Sequence, residues 1–204
     1  MVKVKGRTPL PMQSTNFQCG LTVWFTGLSG AGKSTLSQAV AALLRTRHFK
    51  VAILDADELR RTLCADLGFS RQDREENVFR IASVAEQLTR EQTIALVAVI
   101  APYRSVRAEV RRRIGSYFEV FVDAPLSVCM QRDPKGLYVQ AQRGEIPCFT
   151  GISDPYESPV NPEIVCHTDA ESIDESAAKV LAAILDWQRA LNASRHHDGA
   201  GSGS

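Results

Sequence analysis

Gly27-Leu28-Ser29-Gly30-Ala31-Gly32-Lys33-Ser34 is a complete match to G-x-x-x-x-G-K-[ST], and its flanks decide the fold. Before it stands the apolar run Leu21-Thr22-Val23-Trp24-Phe25-Thr26, which reads as a buried strand. After it, Leu36, Val40, Leu43 and Leu44 recur at helix spacing. A strand, a glycine loop and a helix in this order build a phosphate site. Gly27, Gly30 and Gly32 let the backbone curl so that its N–H groups point at phosphate oxygens, and a helix opening near Lys33 adds its positive end. Leu28, Ser29, Ala31 and Thr35 complete the loop expected to hold the nucleotide. Lys33 is expected to reach the β- and γ-phosphates of a nucleoside triphosphate, and the Ser34 hydroxyl to ligate Mg²⁺.

Working outward, strands and helices alternate. Residues 51–54 form a short apolar strand ending at Asp55, and residues 73–89 have helical spacing through Val78, Ile81, Ala85 and Leu88. The run 94–100 is apolar throughout and is predicted to be a strand buried on both faces. Residues 104–113 read as a basic helix, 118–122 as a strand, 127–132 and 136–143 as helical, 164–166 as a last short strand and 173–191 as a closing helix. Between them, 144–162 is a long loop carrying Pro147, Pro155, Pro159 and Pro162. Repeated β-α-β order with continuous apolar strands predicts an α/β fold, a P-loop NTPase-type parallel sheet with helices on both faces. Ligands then bind beyond the carboxyl ends of the strands.

With 204 residues, 44% of them hydrophobic, the chain has the size and composition of one globular domain. A formal net charge of +1 argues against a general nucleic-acid or membrane-surface binder, so any anion site must be local. Residues 1–18 read as a flexible arm or linker without the apolar centre of a signal peptide, 19–192 as the domain, and 193–204 as a flexible tail. The five cysteines are dispersed and form no C-x-x-C pair, which suits a reducing cytoplasm.

The strand ends carry the remaining chemistry. Asp55 and Asp57 sit where a carboxylate orients or deprotonates an acceptor hydroxyl, or holds Mg²⁺ through water; Asp also favours helix N-caps. Arg60, Arg74 and Asn77 are candidates for an anionic acceptor, since Arg offers bidentate geometry, and Phe69 for stacking on a base. Ile100-Ala101-Pro102-Tyr103-Arg104 opens onto the same site. Arg132 and Lys135, beside Pro134 and Gly136, suit a cationic lid together with the long loop that contains Phe149.

In this order GLSGAGKS, LDADELR, LGFS, DREEN, IAPYR, DPKGLY and FTGI closely resemble the adenylylsulfate kinase (APS kinase) family over roughly residues 18–190. The resemblance implies transfer of the ATP γ-phosphate to the 3′-hydroxyl of adenosine 5′-phosphosulfate (APS), giving PAPS. It also implies a homodimer or larger assembly, alone or with a fused or associated ATP sulfurylase. By the same resemblance Asp57 lies at the 3′-hydroxyl, and Arg60, Arg74 and Asn77 hold the phosphosulfate and ribose. Phe69 and Phe149 sandwich the APS adenine, Ile100 and Lys135 make further substrate contacts, Arg132 covers the ATP adenine, and residues 136–162 form a mobile lid.

Three positions depart from the family pattern. The middle Gly of D-G-D is Ala56, and the Asn that usually follows is Glu58, which adds charge near an anionic substrate. The Ser of I-S-P-x-R is Ala101, which has no hydroxyl to carry the phosphoserine intermediate ascribed to that serine in the family. Direct in-line transfer is therefore expected. Two other readings compete: a kinase of the same fold for another nucleotide or small anionic alcohol, and a catalytically weak nucleotide-binding regulator of a sulfurylase.

Overall fold

The computed structural model describes residues 18–198; the expected arm, apart from Gln18, and the end of the expected tail lie outside the described residues. Gln18 belongs to the domain, its amide donating to Lys50 O (2.8 Å) and Gln92 O (2.7 Å). Five parallel strands, β1 (Leu21–Thr26), β2 (Val51–Asp55), β3 (Ile94–Ala98), β4 (Tyr117–Asp123) and β5 (Ile164–His167), form a sheet in the order β2-β3-β1-β4-β5. Strand β1 is buried at every residue, as its apolar run requires.

Strand alternation sends side chains to two cores. On one face Leu21, Val23 and Phe25 of β1 pack with Leu36, Val40 and Leu44 of helix α1 (Lys33–Arg45) and with Val180 and Ile184 of the closing helix. On the other, Trp24, Ala95 and Val97 pack under the helices Arg71–Arg90 and Arg104–Ile114. Taken in chain order these are α1, then a short α2 (Ala56–Leu59), α3 (Arg71–Arg90), α4 (Arg104–Ile114), α5 (Leu126–Arg132), α6 (Leu137–Gln142) and α7 (Ile173–Asp198).

Four local differences from the expected elements have physical causes. Helix α2 is absent from the reading of periodicity because four residues are too few to show a period; the Asp55 side chain caps it by accepting from Asp57 N at 2.9 Å. Helix α3 starts at Arg71 because Ser70 and Asp73 form a capping box. Strand β3 stops at Ala98 although the apolar run goes on to Ile100. Ile100 O accepts from the Thr26 hydroxyl at 2.5 Å and Ala101 takes φ 43°, which turns the chain out of the ladder. Helix α7 runs on to Asp198, past residue 193 where the tail is expected to begin.

Candidate active site

A cavity of about 860 Å³ lies beyond the carboxyl ends of β1, β2 and β3, where this topology places ligands. From the phosphate loop Ser29, Gly30, Gly32, Lys33, Ser34 and Thr35 line it. Gly27, Leu28 and Ala31 do not line it; they shape the loop from behind. A Cβ on Gly27 would stand 2.3 Å from Val122 O, so only glycine lets the loop lie this close to β4. Leu28 packs its side chain toward Gly151 and turns its carbonyl to Lys33, whose Nζ donates to it at 2.7 Å. Burial pulls the Lys33 ammonium from 10.5 down to about 8, with Asp57 opposing the shift. A cation so poorly hydrated is prepared for anionic phosphate.

The two aspartates separate in role. Asp55 accepts from the Ser34 hydroxyl through Oδ2 at 2.5 Å and caps α2 through Oδ1, so both of its oxygens are engaged, and it does not line the cavity. Asp57 is exposed, lines the cavity and pairs with the Lys135 ammonium. The expected catalytic pair is thus one carboxylate facing the cavity and one behind the phosphate loop. Glu58 is exposed and outside the cavity lining.

Among the residues expected to hold the acceptor, Arg74 is buried and donates to Phe69 O (2.9 Å), to Cys148 O and to the Thr150 hydroxyl. Arg60 donates to Gly68 O (3.1 Å) and lays its guanidinium 4.6 Å over the Phe69 ring. Neither forms an ion pair among the described residues. Burial first and the Arg74 charge second lower the affinity of Arg60 for its proton. Asn77 is buried against the same cavity, and its Oδ1 has no hydrogen-bond partner among the described residues. Phe69 is 54% exposed and Phe149 only 7%, yet both line the cavity; Phe149 rests edge-on against Tyr138, with ring centroids 5.1 Å apart. Ile100 and Ala101 form part of the wall.

Three residues not singled out in the sequence stand at the site, and two of them join the lid and the last strand to the loop. Tyr138 on α6 donates its hydroxyl to Ser29 O at 2.9 Å. Thr168, just after β5, donates to Ala31 O at 2.7 Å and accepts from Arg132 Nη2 through its own carbonyl at 2.6 Å. Ser172, at the start of α7, lines the cavity near them. A polar residue directly after an apolar strand was the available signal for Thr168; Tyr138 offered none, since a lone aromatic in a helix usually packs in the core. The far end of the expected lid is bonded to the body: Glu157 N donates to Pro102 O (2.9 Å) and Tyr103 to Asp154 Oδ2 (3.0 Å). All five cysteines are free, and only Cys148 is exposed.

A phosphate loop on this sheet, with a carboxylate and unpaired guanidinium groups facing one cavity, defines a phosphate-loop kinase. A family model described as adenylylsulphate kinase matches residues 19–167, and an adenylyl-sulfate kinase of Gloeothece citriformis (strain PCC 7424) is 55% identical over 164 residues, 80% of this chain and 93% of the relative. The chain belongs to the adenylylsulphate kinase family and is an enzyme of that class. Among solved structures, the Mycobacterium tuberculosis APS kinase CysC in complex with AMPPNP and APS is 46% identical with a TM-score of 0.78, covering 81% of this chain and 98% of that one. A hexameric APS kinase from Thiobacillus denitrificans is 36% identical with a TM-score of 0.65, covering 86% of this chain and 31% of that one. No described helix is long and apolar enough to cross a membrane.

Proposed function

We propose that the chain transfers the γ-phosphate of ATP to the 3′-hydroxyl of APS by direct in-line displacement, ATP lying on the phosphate loop and APS between Arg60, Arg74 and the two phenylalanines. The observation that carries the acceptor assignment is the pair Arg60 and Arg74. Both face the cavity that holds the phosphate loop, and neither has a carboxylate partner among the described residues. Two partly desolvated cations favour a second anion beside the triphosphate, which a neutral sugar alcohol does not supply. The unpartnered Asn77 Oδ1 suits a hydroxyl donor such as a ribose.

In the transfer Asp57 accepts the 3′-hydroxyl proton as the acceptor oxygen bonds to the γ-phosphorus, and the bond to the β-bridging oxygen breaks to release ADP. Lys33 offsets charge on the β- and γ-oxygens. Lys135, paired with Asp57 before substrate arrives, exchanges that partner for the acceptor's anionic groups. Ser34 and Asp55 supply hard oxygen donors of the kind Mg²⁺ takes when it keeps waters and phosphate oxygens as its other ligands. Bound there, the ion would neutralise phosphate charge. Arg132, held on Thr168, covers the donor base.

The hexameric relative supports an assembly of at least two subunits, and its much longer chain supports association with a further domain such as a sulfurylase. The near-neutral net charge of +1 supports a small-molecule substrate rather than a membrane or nucleic-acid partner, and the free thiols support a cytoplasmic enzyme. The deciding experiment offers MgATP with APS and, separately, with other nucleotides and anionic alcohols. PAPS formation with APS alone supports the assignment; preferred turnover of another acceptor, or none of any, defeats it.

A further inference from the structure

Arg107 of α4 lies outside the cavity and is 3% exposed. Burying a guanidinium is costly unless its donors are engaged, and here all three nitrogens are. Nε donates to Glu119 Oε1 on β4 at 3.1 Å. The other two bonds go to backbone carbonyls: Nη1 to Ala101 O at 2.6 Å and Nη2 to Glu157 O at 2.6 Å. One planar fork therefore ties the exit of β3, which forms the acceptor wall, to the far end of the lid. The same two segments are stitched again beside it. Glu157 N donates to Pro102 O, and the Tyr156 hydroxyl, 3.0 Å from Thr26 Oγ1, meets the group that donates to Ile100 O. Ala101 sits at φ 43°, a left-handed conformation that a residue with a Cβ keeps only when its surroundings impose it.

We infer that Arg107 is a positioning residue for the phosphoryl acceptor: by holding the Ala101 and Glu157 carbonyls together it sets the Ile100–Ala101 wall of the acceptor subsite and anchors the lid, without touching either substrate. A simple ion pair with Glu119 would need only one of the three bonds. The inference rests on the acceptor reading given above.

Arg107→Lys keeps a positive charge beside Glu119 but lacks the planar fork that reaches both carbonyls. Tyr156→Phe removes the neighbouring stitch and leaves the buried charges alone. Steady-state kinetics and calorimetric titration of the intact enzyme with ADP, and then of its ADP complex with APS, separate the possibilities. Arg107→Lys is expected to raise KM for APS about tenfold, with KM for ATP and ADP affinity changed less than about twofold. Tyr156→Phe should shift in the same direction by a smaller factor. Equal rises for both substrates, or an unchanged APS constant in either folded variant, overturn the inference. Should Arg107→Lys fail to fold, Tyr156→Phe decides alone on the same criterion. Failure of the parent enzyme to bind APS would remove the acceptor reading and this inference with it, whereas normal APS binding by both variants removes only the inference.

Discussion

The Ser34 hydroxyl donates to Asp55 Oδ2 at 2.5 Å, and this bond separates two carboxylates that stand one residue apart. Asp55 is committed to the phosphate loop and the α2 cap, leaving Asp57 to face the cavity. Asp57→Asn should therefore lower kcat on the order of 10²- to 10⁴-fold, the usual contribution of a positioned base, while ADP binds as before. Asp55→Asn should raise the Mg²⁺ concentration needed for half-maximal activity and weaken MgADP binding. Titrating both variants with Mg²⁺ and ADP tests the separation. The same pattern of losses in both would show that the two carboxylates act as one unit.

Lys33 gives a pH signature. Its ammonium, lowered by burial to about 8, is increasingly neutral in the free enzyme above that pH, and bound phosphate favours its charged form. ADP binding at about pH 8.5 should thus take up protons, and affinity should fall as pH rises through 8. Calorimetry in buffers of different ionisation enthalpy measures the uptake, which Lys33→Met should lose. The sign for stability is opposite. A lysine whose folded value is depressed costs stability wherever both states carry the proton, and the cost disappears above the ordinary value of 10.5. Lys33→Met should abolish turnover and raise Tm at neutral pH. A variant with substantial activity would remove the phosphate-loop assignment.

Phe69 and Phe149 are expected to act on the acceptor and to differ in what they cost the fold. Either change to Ala should raise KM for APS more than KM for ATP, because the lost contact is a stacking surface for the acceptor base. Phe69 is exposed, so its loss should leave Tm nearly unchanged. Phe149 is buried against Tyr138, and its truncation should cost about 3 kcal/mol, the lower end of the range for core Phe→Ala. Denaturation of the two variants beside the parent checks the difference, and equal effects on the two Michaelis constants would count against the sandwich.

The phosphate loop, its strand and its helix were legible because their signals are local: glycines at fixed offsets between a continuous apolar run and a period of 3.6 residues. The distinct roles of Asp55 and Asp57 were not, because they depend on a hydroxyl across the sheet at Ser34 and on a four-residue helix. Tyr138, Thr168 and Arg107 act through backbone carbonyls remote in sequence, at Ser29, Ala31 and Glu157, and no spacing rule encodes such partners. Likewise the apolar letters of 94–100 gave no sign that Ile100 leaves the sheet, since that turn is imposed by Thr26 and Arg107.

The lid should respond unevenly. Residues 154–157 are already bonded to Pro102, Tyr103 and Arg107, whereas Lys135 has an anionic partner to exchange and residues 142–145 are exposed. Hydrogen exchange across residues 135–148 should slow when ADP and APS are added together, with little change at 154–157. Uniform slowing over 144–162 would mean that the whole loop closes as one body, and no change would make it a static wall.

Ala101 tests the chemistry itself. It is 1% exposed, lines the acceptor wall and carries only a methyl group, so a phosphoserine cannot form there. In-line displacement has no need of one. It requires a hydroxyl aligned on the γ-phosphorus, a base for its proton and charge on the phosphates, and Asp57 and Lys33, the residues proposed for the last two, face the one cavity. Incubation with γ-labelled ATP and APS, followed by acid denaturation, should leave the protein unlabelled while labelled PAPS accumulates. Ala101→Ser should not accelerate the reaction, because the added hydroxyl enters a packed wall and supplies nothing the displacement lacks. Stoichiometric label that chases into PAPS would overturn direct transfer, and a large gain in kcat for Ala101→Ser would show that the serine route is the faster one this sequence has given up.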